Sequence, residues 1–199
     1  MFKRVSLSAA IFAAAAAPAF AHLDPEAHGS FMAGFSHPLF GMDHILVMVA
    51  VGLWAAQIAH GTGFQHGKRN ALWIVPAAFV TTMAVGFALA IAGIGLPFVE
   101  PAILASVIAL GLLVAMAVHL PTPASAAIVA IFALFHGHAH GGELGSAGAL
   151  QFGIGFVAAT ALLHLAGIVA GLGISRFSPR VARILGGITA LLGLSLAFG

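Results

Sequence analysis

Six apolar runs, at about residues 38–59, 71–94, 101–120, 125–140, 149–174 and 183–198, fill most of this chain and leave short polar connections between them. An α-helix needs about 20 predominantly apolar residues, rising about 1.5 Å each, to cross the roughly 30 Å hydrocarbon core of a bilayer. Each run is that long or nearly so. The fourth reaches full length only if the polar stretch at its end is helical too, and the sixth is also short. The chain therefore reads as all-α, a polytopic membrane protein with six transmembrane helices. Composition agrees: 61% of residues are hydrophobic, 6% are charged and the mean hydropathy is +1.12, whereas about a quarter of residues are charged in soluble domains. Seven basic and five acidic residues give a formal charge of +2, too little for a nucleic-acid footprint. There is no Cys, which excludes thiolate ligands and disulfides, while eleven His against five acids is the unusual ratio.

Ahead of the first run, Lys3 and Arg4 precede an apolar stretch over residues 5–17 and an Ala19-Phe20-Ala21 site, the tripartite pattern of a secretory signal. That stretch is shorter than a span requires. The reading is a cleaved signal peptide at residues 1–21 and a single six-helix transmembrane domain at residues 22–199, its mature end at His22. An uncleaved first helix is the alternative. Residues 22–36 then form an exported tail carrying His22, Asp24, Glu26 and His28. With that terminus outside, Lys68, Arg69, Arg176, Arg180 and Arg183 fall on the cytoplasmic side, and the outer loops carry Glu100 and Glu143. The signal and the positive-inside rule thus agree on a bacterial inner-membrane protein with a periplasmic mature N-terminus.

Two polar stretches interrupt this pattern. The first is HPLFGMDHILVM at residues 37–48, and the second is FHGHAHGGE at residues 135–143. Ionisable groups inside apolar spans are expensive, face protein interiors and serve function. The topology places both stretches on the outer side, so they read as two halves of one metal site. Pro38 suits the first turn of a helix, which makes His37 a cap-like residue able to fold back over that helix. His44 and Met48, four apart, share a face, and Gly41 leaves room for another backbone or an ion. Asp43, about 100° around the helix, either turns toward the same centre or orients an imidazole from behind. In the second stretch His136, His140 and Glu143, at i, i+4 and i+7, stack on one face if the helix continues through Gly141 and Gly142, and His138 points to nearly the opposite side.

Deeper along the chain, His164 lies about 15 residues into the fifth run, near the midplane. With His119, His60 and His66 toward the inside it continues a sparse series of imidazoles. His164 is either a pathway residue or a satisfied packing histidine, and His119 reads as an interfacial side chain reaching water. Imidazole with carboxylate and a thioether at Met48 suits Ni²⁺, Co²⁺, Zn²⁺ or Cu²⁺ better than Mg²⁺ or Ca²⁺. Polar groups that merely staple helices are the bland alternative. Gly137-x-x-x-Gly141 and Gly167-x-x-x-Gly171 serve close helix packing, within one subunit or in a homo-oligomer.

The motifs H-x5-D-H, at His37, Asp43 and His44, and F-H-G-x-A-H-G-x-E, at Phe135, His136, His140 and Glu143, resemble those of the HupE/UreJ family of bacterial nickel permeases. The resemblance extends over essentially the whole chain, and His138 falls on a variable position. It implies nickel, with cobalt as the second ion, as a transported substrate rather than a permanent cofactor. The metal ion and the lipid bilayer are then the partners. The leading reading is a secondary permease carrying the ion from periplasm to cytoplasm, since the sequence holds no nucleotide-binding loop. A membrane-embedded metalloenzyme with Glu143 as general base and a metal sensor or chaperone are the alternatives. An HExxH helix would favour the enzyme, and none occurs in the sequence.

Overall fold

The computed structural model describes residues 30–60, 68–144 and 148–199, apart from the side chains of Lys68, Glu143 and Pro179. The expected signal cleavage, His22 and His66 lie outside the described residues. Regular structure among the described residues is helical throughout: α1 (Phe31–Phe40), α2 (Met42–His60), a 3₁₀ turn (Lys68–Asn70), α3 (Ala71–Ile91), α4 (Val99–Ala115), α5 (Thr122–Leu144), α6 (Ala149–Phe177) and α7 (Pro179–Phe198). Helices α2 to α7 carry the six apolar runs. Five of them are long and apolar enough to cross a membrane, and α4, at 17 residues, is apolar but shorter. The chain is a polytopic helical membrane protein.

The helix α1 corrects the expected boundary of the first run. Residues 31–36, expected within the exported tail, are helical, and Pro38 is not at the start of a helix but inside the last turns of α1. Ser30 supplies the N-cap, its Oγ accepting from Ala33 N at 3.0 Å, which satisfies one of the orphan donors of the first turn. Ala33, Gly34 and Pro38 are the buried positions of α1, and the helix lies along α6. There Gly34 meets the backbone of Phe152, and Gly155 meets that of Phe31. Ten residues form a marginal helix in isolation, so this docking sustains it. Extended backbone at Gly41 (φ −81°, ψ 118°) then separates α1 from α2.

Three helix pairs have the closest packing: α3 with α5, α4 with α7, and α2 with α6. Each is seamed by glycine on both partners. A Cβ on Gly137 would collide with Met83 O across the α3–α5 seam, and one on Gly86 would collide with Leu134 O. Gly167 and Gly52 oppose each other in the same way between α2 and α6. Small residues are what let membrane helices approach this closely. Both sequence-level glycine stripes are thus used within one chain: Gly137 and Gly141 against α3, and Gly167 and Gly171 against α2. Gly137→Val is expected to force the α3–α5 pair apart at a cost of about 1–3 kcal/mol, as overpacking does elsewhere. A lower melting temperature and a loss of monodisperse protein in detergent would register it.

The third run is shorter than its apolar extent suggests. Its helix stops at Ala115, and Ala117 takes a positive φ of 51°. The helix end and the segment beyond it are held by α2: Gln57 Nε2 donates to Val114 O at 3.1 Å, and Trp54 Nε1 donates to Val118 O at 2.8 Å. His119 therefore lies past the helix, exposed, with Nε2 donating to Gln57 O at 3.2 Å. At this same end Arg183 Nε donates to Ala115 O at 2.8 Å. Arg69, Arg176 and Arg180 belong to this end by chain direction, the first just ahead of α3, the others at the α6–α7 junction. The fourth run is long because its polar end is helical, so α5 continues without a break through Gly141 and Gly142.

Candidate metal site

At the end of the bundle opposite the arginines, the last turn of α1, the first turn of α2 and the last turns of α5 converge. Gly41 turns the chain back so that His37 lies over the start of α2. One ligand atom each from His37, His44 and His140 lies within 4.8 Å of the others, with His44 and His140 buried and His37 half-buried. The ring centroids are 4.4 Å apart for His37 and His140, 4.7 Å for His44 and His140, and 5.6 Å for His37 and His44. Residues nearly a hundred positions apart in sequence thus form a three-imidazole cluster, a donor set suited to a divalent transition metal.

His44 is its hub. Its Nδ1–H donates to Asp43 Oδ1 at 2.8 Å, and a carboxylate behind a histidine in this manner fixes the ring's tautomer and orientation. Of the two roles open to Asp43 in the sequence, the geometry matches the one behind the imidazole. The lone pair is thereby left on Nε2, which stands 2.6 Å from His140 Nε2. Two imidazole nitrogens that close share one proton. Gly41 has no room for a side chain here, because a Cβ would stand 2.6 Å from His44 Nδ1 and 3.0 Å from Asp43 Oδ1. The space the sequence left for a backbone or an ion holds the Asp43–His44 pair.

His136, one turn inward on α5, is fully buried and lies outside the three-imidazole group, with its ring 5.4 Å from that of His44. Ser106 on α4 donates its hydroxyl proton to Ile103 O at 2.5 Å, so His136 Nε2–H donates to Ser106 Oγ at 2.9 Å. His136 Nδ1 keeps its lone pair and has no partner among the described residues. His138 lies on the other side of α5, where Nε2–H donates to Ile94 O at 2.8 Å, as its position in the helical repeat requires. The backbone of Glu143 falls on the His136–His140 face because the helix is unbroken, and its carboxylate is outside the described side chains. Met48 is fully buried one turn inward of His44, and His164 is buried further along α6.

Sequence reasoning missed four contributors. Phe156 walls the cluster from α6, 4.8 Å from His140 and 6.1 Å from His44, and Phe152 stacks behind it at 6.1 Å. Phe79 on α3 touches His136 at 5.8 Å. Phenylalanines in an apolar chain carry no signal of their own. Ser106 did carry one, as a lone hydroxyl in the middle of an apolar run, where polar side chains need a partner.

The helices and imidazoles together define a polytopic membrane protein with a histidine cluster enclosed near one end of its bundle. The HupE / UreJ protein family model matches residues 10–196, and the chain belongs to that family. It is 48% identical over 190 residues to Protein HupE of Rhizobium leguminosarum bv. viciae, an alignment covering 94% of this chain and 95% of that one. No solved structure shows detectable similarity to the chain.

Proposed function

We propose that this chain is a secondary permease that takes a divalent transition-metal ion, Ni²⁺ first and Co²⁺ second, from the periplasm and releases it into the cytoplasm. The observation that carries the reading is the cluster of His37, His44 and His140 at one end of an apolar helical bundle. His37, His44 and His140 act as ligands from the protein interior, Asp43 holds His44 in its ligating tautomer, and His136 and Glu143 lie on the same face of α5. The arginines at the opposite end support a cluster facing the periplasm of a bacterial inner membrane. Nickel, rather than zinc or copper, rests on the family resemblance and not on the ligand chemistry.

Loading moves the hydrogen that His44 and His140 share. Two imidazole nitrogens each about 2.0–2.1 Å from one ion sit roughly 3 Å apart, further than the 2.6 Å of His44 and His140. The entering ion takes the place of the shared hydrogen, which a neutral His140 then carries on Nδ1, so both Nε2 lone pairs face the ion and the pair parts by a few tenths of an ångström. The ion is the transported substrate, and it must leave again. A metalloenzyme or sensor would need no ligands beyond the cluster, whereas His136 and His164 continue inward, which favours transport.

The reading is tested by ⁶³Ni²⁺ uptake into proteoliposomes, with Co²⁺, Zn²⁺ and Mg²⁺ as competitors. Saturable Ni²⁺ entry that Co²⁺ blocks and Mg²⁺ does not is the expected result, and absence of uptake in a well-reconstituted preparation overturns it. Metal ligation takes neutral imidazole, and imidazole in water titrates near pH 6.5, so protons compete with the ion. Equilibrium Ni²⁺ affinity is expected to fall as pH drops from about 7.5 to about 5.5, more steeply than one proton allows. A flat profile by calorimetry would assign the binding to carboxylates and water instead.

A further inference from the structure

His164 is 1% exposed, and neither Nδ1 nor Nε2 has a hydrogen-bond partner among the described residues. A neutral imidazole carries one N–H donor and one acceptor, so the fold has desolvated both without replacing the water they lost. Its place in the molecule makes this cost informative. Thr160, one turn earlier on α6, donates to Met83 Sδ at 3.7 Å, and Gly137 packs on the backbone of Met83. Met83 is therefore level with Gly137. Phe79 and His164, each one turn further along its own helix in the inward direction, are level with each other below them. The rings of Phe79 and His164 meet edge-on at 5.0 Å.

The neighbouring rings thus run in series from the cluster inward: His140 to His44 at 4.7 Å, His44 to His136 at 5.4 Å, His136 to Phe79 at 5.8 Å and Phe79 to His164 at 5.0 Å. Every ring but one offers a nitrogen lone pair. Phe79 is the apolar spacer, and it separates the cluster and His136 from the last imidazole.

We propose that His164 is an inner ligand for the transported ion, a station beyond Phe79 that receives it from His44 and His136. This rests on the permease reading and assigns a second binding position along the same path. One protein ligand, with water completing the shell, makes a weak site, which is what a point of departure requires. The apolar surroundings of His164 hold no carboxylate among the described residues, so nothing there would trap a divalent ion.

The test compares His164→Leu, which fills the space without a donor atom, with His164→Cys, which supplies a donor in a smaller and less space-filling side chain. Ligation ranks uptake Cys above Leu, and packing ranks it Leu above Cys. For Leu, Ni²⁺ uptake into proteoliposomes is expected to fall about tenfold or more, since a ligand without a substitute is removed. Equilibrium Ni²⁺ binding at the outer cluster should stay within about twofold by calorimetry, and the melting temperature should equal or exceed that of the wild type, because two unsatisfied polar atoms are gone. Unimpaired uptake by Leu, or Leu above Cys, overturns the proposal. So does failure of the Leu variant to fold while His164→Phe also fails, because the fold would then depend on the imidazole nitrogens. Absence of uptake by the wild type would defeat the permease reading itself, a result distinct from either.

Discussion

Replacing His44 by alanine is expected to lower Ni²⁺ affinity and uptake by at least about 100-fold, while the protein still inserts and purifies as a monodisperse species. Loss of a single outer partner behind a ligating histidine already costs about 10–100-fold, and His44 does more than any such partner. Its two nitrogens bind Asp43 at 2.8 Å and His140 at 2.6 Å, and its ring touches those of His37 and His136. Removing it disconnects the cluster at its centre. His140→Ala should match it, since it deletes the other member of the closest pair. His138→Ala is the control, because its nitrogen is occupied by Ile94 O on the other side of α5, and uptake should stay within about threefold. Equal sensitivity of His138 and His140 would sink the single-face arrangement on α5.

Much of this arrangement was legible in the sequence because it depends on periodicity and topology alone. The i and i+4 spacing of His136 and His140 put them on one side of α5 and His138 on the other. Two polar stretches at the same end of antiparallel runs had to meet. The six apolar runs became helices α2 to α7 despite their glycines, because in an apolar surrounding the backbone can satisfy its polar groups only within the helix and the glycines serve close packing. A residue's neighbours across helices were not legible. Nothing near His136 in sequence announces Ser106, which lies on a different helix and comes within 2.9 Å only after the α4–α5 contact forms. Phe152 and Phe156 wall the cluster through the docking of α1 and α2 on α6.

The missed helix has a specific cause. Pro38 is favoured in the first turn of a helix, and that preference moved the expected start of the first run seven residues beyond Phe31. Near the end of α1, Pro38 withholds one N–H from a helix that stops at Phe40 in any case, so its penalty is small. The competing signal was Ser30, an N-cap whose side chain reaches Ala33 N. A cap and two buried small residues on a ten-residue segment are too little to decide a helix without the α6 surface that receives it. That same helix delivers His37, which was expected over the start of α2 although the helix that carries it was not.

Asp43→Asn is expected to weaken Ni²⁺ binding by about 10–100-fold with little change in melting temperature. The amide keeps the size of the carboxylate but not its charge, and its oxygen is a poorer acceptor for His44 Nδ1–H. The imidazole then loses the partner that keeps its lone pair on Nε2, facing His140. Gly41→Ala should produce a weaker form of the same defect without touching any donor atom, since its Cβ would stand 2.6 Å from His44 Nδ1 and 3.0 Å from Asp43 Oδ1. Backbone strain does not enter, because Gly41 has φ −81°, which any residue adopts. Both substitutions act on one hydrogen bond, so in the double variant the losses should fall short of their sum, as they do for residues sharing an interaction. Calorimetric Ni²⁺ titrations of the two single variants and the double variant measure that shortfall. Full additivity would mean that Gly41 and Asp43 affect the ion by separate routes, and the role of Asp43 as the group that holds His44 would have to be given up.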